Sequence, residues 1–205
     1  MPGLTQRGVM SVRELAKTLV RGVATIVVSP VLLLHAIKVP LLGKDRALEG
    51  STQFLSLVPG VTGQYLRAAF MVWTVRECHP SASIGFGTIF AKTDLRIGKH
   101  AYIGPYCSVG NATIEDDVLI ATGTHILSGG RIHGTDDPNI PIRLQPGVLL
   151  HVTIGQGSWI GAGAVILADV GKNSIVGAGS VVTKAIPDLV VAAGVPAKVI
   201  RSRGA

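Results

Sequence analysis

From Ile84 onward, aliphatic residues return at every sixth position. The series runs Ile84-GFGTI, then after a slip Ile97-GKHAY, Ile103-GPYCS, Val109-GNAT, Ile114-EDDVL, Ile120-ATGTH, Ile126-LSGGR and Ile132-HGTDD. After an interruption it resumes as Ile154-GQGSW, Ile160-GAGAV, a shortened Ile166-LAD, Val170-GKNSI, Val176-GAGSV and Val182-TKAIP. This spacing matches neither an amphipathic helix nor an isolated strand. It fits a chain that makes a short strand, turns a corner and repeats. Each aliphatic side chain then points into a common interior, three strands close a triangular coil, and stacked coils pair their backbone groups. Glycine often follows the aliphatic position, as corners with positive φ require, and small residues fill the fifth position. The pattern predicts a mainly β chain, a parallel solenoid over 84–186, whose hand does not follow from spacing.

The preceding residues have a different texture. Ser11-Val12-Arg13-Glu14 has capping-box spacing, so a helix is predicted to start there. Arg13, Lys17 and Arg21 recur every four residues as a basic stripe, while Leu15, Leu19, Val23, Ile26 and Val27 cover the other side. Ser29-Pro30 is predicted to end or kink this helix. A further apolar run, Val31 to Leu34, leads to His35, Lys38 and Pro40. The stretch approaches the ~20 residues of a membrane span, but the proline and lysine break it. Two readings stay open: an arm lying on or re-entering an anionic membrane surface, or an arm packing on the domain or on a neighbouring subunit. A cleaved signal peptide is disfavoured because no small-x-small site follows the apolar core. Thr62 to Val75, after Pro59-Gly60, is predicted to be a short helix packing through Leu66, Phe70 and Trp73. The organisation is thus an arm (1–45), a helical lead-in (46–83), the repeat (84–186) with an inserted loop (133–153), and a tail (187–205).

Composition narrows the partners. Aromatics make up only 4% of the 205 residues and Gly accounts for 26, so the core must be small and aliphatic. A formal charge of +7 calls for an anionic partner, but nucleic-acid motifs and interleaved aromatics are missing. Cys78 and Cys107 cannot form a disulfide framework, and no Cys or His pair has zinc spacing. No metal is expected, and the placement expected is cytoplasmic, peripheral to the inner face of the membrane.

The segments IGQGSWIGAGAVIL, VGAGSVVTKAIP and AAGVPAKVIR, between Ile154 and Arg201, together resemble the hexapeptide-repeat acyltransferases. The resemblance extends over Ile84 to Arg201 and is strongest to sugar and polysaccharide O-acetyltransferases of the galactoside, maltose and nodulation-factor type. It implies a left-handed parallel β-helix, a homotrimer with its active site between subunits, and acetyl-CoA as co-substrate. His133, at the head of the insertion, falls on the family's general base, which takes the acceptor proton as the oxygen attacks the thioester. Asp136 or Asp137 could orient it. Trp159 and Tyr106 are expected beside the acceptor; Ala162 and Ala178 beside the pantetheine arm; Thr183, Lys184, Lys198 and Arg201 near the CoA phosphates. The sequence departs from the family at Gly104, where sugar acetyltransferases often carry Asn. His151 closes the insertion at the cleft edge and His125 suits a structural or interfacial role, while His35, His79 and His100 belong to no motif.

The expected activity is O-acetylation of a saccharide or lipid-linked saccharide hydroxyl. Alternatives are N-acetylation of an amino sugar and a non-catalytic trimeric scaffold at a membrane. A γ-type carbonic anhydrase would need three zinc histidines, and the close His pair is absent.

Overall fold

A computed structural model describes residues 12–204; Ser11 and the Arg13 and Glu14 side chains of the capping box and basic stripe lie outside the described residues. The hexads form short strands that visit three parallel sheets in rotation, making a solenoid of about six turns. The first face carries Glu77–Cys78, Arg96–Ile97, Ala112–Ile114 and Val152–Ile154. On the second lie Ser83–Ile84, Tyr102–Ile103, Leu119–Ile120, Trp159–Ile160, Ile175–Val176 and Val190–Gly194. The third holds Ile89–Phe90, Ser108–Val109, His125–Ile126, Val165–Ile166 and Val181–Val182.

Register makes the six-residue period into columns. Ile84, Ile103, Ile120, Ile160, Val176 and Ala192 stack along one face, all buried. Phe90, Val109, Ile126, Ile166 and Val182 stack along another. Ile132 does not join them. It is 40% exposed, because the chain leaves the stack after Ile126 and regains it only at Val152, so no coil continues above it.

The fifth position is a polar rung in many hexads, while Ala101, Val118 and Ala164 fill it in others. Ser158 Oγ donates to Gly171 O (2.6 Å) and accepts from Ser174 N (3.0 Å); Ser174 Oγ repeats the pattern with Pro187 O (2.7 Å) and Val190 N (3.2 Å). Thr88 and Cys107 occupy equivalent corners. Buried backbone groups at the corners are thereby satisfied from coil to coil. Cys78 lies in the core, and burial pushes its thiol up to about 12, so it stays protonated.

Helices α1 (Val12–Leu42), α2 (Lys44–Ser56) and α3 (Gly60–Thr74) close the open end of the first coil. Arg67, 3% exposed, donates to Ile84 O (3.0 Å), Leu55 O (3.1 Å) and Val58 O (2.8 Å), while Thr52 bonds both backbone groups of Phe90. A strand edge that would otherwise stay bare is covered in this way. At the far end Ala197–Ser202 folds back antiparallel on Val190–Gly194.

α1 does not end at Ser29-Pro30. Pro30 cannot donate to Ile26 O, but Ser29 Oγ does so instead at 2.8 Å, replacing the lost bond and letting the helix run on to Leu42. Ala24, Val28 and His35 are buried on the inner side, where His35 Nδ1 lies 3.2 Å from Ser51 Oγ. Lys17 and Arg21 also lie on that side, lining a cavity with Tyr65. Leu19, Val23, Ile26, Leu34, Ile37 and Leu41 are exposed. In α3 Phe70 is buried as expected, but Trp73 is 67% exposed and does not pack in the core.

Candidate active site

The solenoid sorts the candidate residues by edge and face. The insertion leaves the edge where the third face turns into the first, between Ile126 and Val152. It folds back on itself: Val148 N donates to Arg131 O (2.7 Å) and Leu150 N to Ser128 O (2.8 Å). Gly147 packs against the backbone of Ile132 and His133, where a Cβ would come within 2.1 Å of Ile132 O. The hairpin therefore presents His133 on its surface, exposed, with no hydrogen bond to its ring among the described residues. Asp136 instead meets Arg131 (3.5 Å), and Asp137 Oδ1 accepts from Asn139 N (2.8 Å). Neither aspartate is bonded to His133 within the chain. Thr183 and Lys184 follow the third-face strand Val181–Val182, on the same edge as the insertion, and both are exposed.

Ala162 and Ala178 lie on a different edge, between the second and third faces. They belong to successive coils, joined by Gly179 N to Ala162 O at 2.8 Å. Tyr106 stands on this same edge nearer the helical end. Its φ of 57° occupies the corner that Gly87, Gly123, Gly163 and Gly179 fill in other coils. The 61% exposed Tyr106 ring packs edge-on against Phe86 at 5.6 Å. Trp159, 50% exposed, lies on the second face, paired through Ile175 and Val191 to Arg201, with Lys198 opposite Ala193. His125 is exposed on the third face, between the two edges.

Gly104 can bear no side chain. A Cβ there would sit 2.8 Å from Ala121 C and Thr122 N of the next coil. The amide side chain of sugar acetyltransferases thus has no room at this position.

Sequence reasoning missed the network at the exit of the insertion. His151 Nε2 meets Thr113 Oγ1 (2.7 Å) and Nδ1 meets Asn111 Oδ1 (3.0 Å), with Asp94 Oδ2 at 4.0 Å. Arg76 hydrogen-bonds Asp94 and holds its carboxyl below the usual range. His151 therefore pins the insertion to the first face. Nothing in the local pattern of Asp94 or Asn111 signals this, since the His151 hydrogen bonds join adjacent coils through residues 38 and 40 apart in sequence. No group of three metal-binding side chains occurs among the described residues.

Residues 151–184 match the family model described as bacterial transferase hexapeptide (six repeats). Galactoside O-acetyltransferase of Escherichia coli (strain K12) is 30% identical over 177 residues, covering 72% of this chain and 83% of that one. A serine acetyltransferase of Bacillus subtilis (strain 168) is 30% identical over 128 residues, covering 62% of this chain and 49% of that one; the chain spans about half its length. The solved structure of a galactoside acetyltransferase in complex with coenzyme A superposes with a TM-score of 0.64 at 27% identity, covering 80% of this chain and 82% of that one. A six-residue solenoid with an inserted hairpin and an antiparallel end strand, matched over most of both chains, places this protein among the hexapeptide-repeat acetyltransferases.

Proposed function

We propose that the protein transfers acetyl from acetyl-CoA to the hydroxyl of a saccharide, free or lipid-linked, with His133 as general base. The observation that carries this reading is His133 itself: an exposed imidazole, uncommitted within the chain, held up by a hairpin inserted into an acetyltransferase solenoid. Neutral imidazole takes the acceptor proton while the oxygen attacks the thioester carbonyl. The tetrahedral oxyanion collapses, expelling CoA thiolate, which receives the proton from the imidazolium.

His133 and Lys184 lie on one edge, Ala162 and Ala178 on another, with the third face between them. A site using both sets closes readily when an edge of one subunit meets the other edge of its neighbour, which favours a cyclic homotrimer. Small side chains at Ala162 and Ala178 leave room for an extended pantetheine arm along the backbone. Lys184, Lys198 and Arg201 supply positive charge for the CoA phosphates. Trp159 and Tyr106 offer aromatic surfaces to a sugar ring.

Membrane association belongs to the same proposal. From Leu15 to Leu42, α1 is long and apolar enough to cross a membrane, yet its inner face is occupied by α2 and α3. Within 15–42 its charged residues are Lys17, Arg21 and Lys38, with Glu14 the one acid of α1 before that stretch. Such a helix suits lying on an anionic bilayer, apolar side down.

An acceptor panel tests the reading. Purified protein with radiolabelled acetyl-CoA is offered neutral glycans, a lipid-linked saccharide, amino sugars and L-serine. Acetyl ester formation on saccharide is expected. Exclusive amide formation on amino sugars, or transfer only to serine, would overturn the acceptor class.

A further inference from the structure

Two cavities meet beneath α1 at Arg21. The larger, about 610 Å³, lies between α1, α3 and the corners of the first two coils. Arg21, His79, Lys99 and His100 line it along with Lys17, and no Asp or Glu is among the described lining residues. Asp117 lies 3.3 Å from His100 Nδ1. His79 Nδ1 accepts from Ser81 N at 3.1 Å, which leaves its Nε2 to carry the proton. The smaller cavity, about 210 Å³, is a cleft between α1 and α3 walled by Gly22, Ala68, Ala69, Val72 and Trp73. Arg21, Tyr65, Ala68 and Pro80 line both.

Two details point to a ligand. Arg21 Nε is buried without a hydrogen-bond partner, at the junction of the basic and apolar spaces. Buried guanidinium donors are ordinarily satisfied, so an acceptor is missing there. Gly22 is the second detail. A glycine inside a helix weakens it relative to alanine, yet a Cβ at Gly22 would meet nothing within 4 Å. Packing within the chain does not demand glycine; its effect is to keep the cleft open.

We propose that the joined cavities bind a lipid phosphate. The phosphate accepts from the Arg21 guanidinium, with Lys99 and the His79 imidazole beside it, and the hydrocarbon chain lies in the cleft. An inorganic anion would leave the apolar cleft empty, and a neutral amphiphile would leave Arg21 unpaired. The site lies on the edge between the first and second faces, away from the insertion, so it is independent of the role of His133 and of the acetyl acceptor. Its phosphate could come from a bilayer phospholipid or from a polyprenyl phosphate carrier, which share this chemistry.

Calorimetric titration of the full chain with octyl phosphate, inorganic phosphate and octyl glucoside, each below its micelle concentration, tests the proposal. Octyl phosphate is expected to bind about tenfold or more tightly than either of the others, since a charge-assisted bond and the chain burial act together. Arg21→Gln should remove about tenfold. Gly22→Leu, which fills open space, should bring octyl phosphate down to the level of inorganic phosphate without lowering the thermal midpoint. Absence of octyl phosphate binding, equal binding of octyl glucoside, or wild-type affinity in both variants would overturn the proposal. Phosphatidylcholine vesicles carrying either phosphatidylglycerol or polyprenyl phosphate then separate the sources. Preference for one of these over phosphatidylcholine alone, lost in Arg21→Gln, identifies it, and preference for neither overturns the lipid assignment.

Discussion

The solenoid and the first helix of its cap differ in what they turn inward, since α1 places basic and hydrogen-bonding side chains beside its buried Ala24 and Val28. In the solenoid, isoleucine and valine columns fill the interior and polar side chains face out. In α1 the basic and hydrogen-bonding residues Lys17, Arg21 and His35 turn inward, while Leu19, Val23, Ile26 and Ile37 are exposed. Both arrangements obey one rule, that apolar surface seeks an apolar medium. The difference teaches that the helix closing the solenoid leaves a bare apolar surface, which the proposal above assigns to an anionic bilayer.

The largest effect separating the two regions should come from matched truncations. Ile120→Ala, in the middle of a stacked column, is expected to cost about 2–5 kcal/mol by urea unfolding. Ile26→Ala, on the bare side of α1, should change stability by less than about 0.5 kcal/mol while weakening co-sedimentation with anionic vesicles. Similar losses of stability at both positions would erase the contrast, because Ile26 would then be packed against protein.

A smaller loss should follow where the regions join. Arg67→Ala strips donors from Ile84 O at the edge of the first coil and from Leu55 O and Val58 O at the end of α2, and about 2–3 kcal/mol is expected. Hydrogen exchange should rise first at the Ser83 and Gly85 amides of the first coil, which donate to Ala101 O and Ile103 O. Exchange confined to the C-terminal strands would show that the cap does not protect this end.

The smallest effect is one of pH. Burial of Asp45 opposes ionisation, but the Thr93 amide and hydroxyl (3.0 and 2.9 Å) and Lys92 outweigh it, holding the carboxyl below its ordinary value. A depressed folded value means that stability from this link is complete above the unfolded pKa of about 3.9 and is lost as pH falls through the folded value. Asp45→Asn should therefore lower the urea midpoint at pH 7 and flatten its fall below pH 4. An unchanged acid slope would remove Asp45 as a titrating clamp between α2 and the second coil.

Most of the solenoid was legible because a side chain at the same point of every coil meets the same environment. That logic failed at Ile132, where the spacing continued but the coil did not. Of the two outcomes expected at Pro30, an end or a kink, the end does not occur, because Ser29 supplies the substitute donor. α2 falls within the helical lead-in but was not singled out: its inner side mixes Ala47, Leu48 and Leu55 with Ser51, Thr52 and Ser56. Which side of α1 faces the protein could not be read from its two-sided pattern. For the proposed site, the candidates His133, Ala162 and Lys184 come through resemblance, whereas the His151–Asn111–Asp94 network depends on coil stacking and only appears in three dimensions.

The most direct measurement compares wild type with His133→Ala in acetyl transfer from acetyl-CoA to the preferred saccharide, with CoA affinity measured on the same samples. A fall in kcat of about 10²–10⁴ with CoA affinity unchanged is expected from loss of a general base. Near-wild-type kcat in His133→Ala would contradict that role and move the proton transfer to another residue.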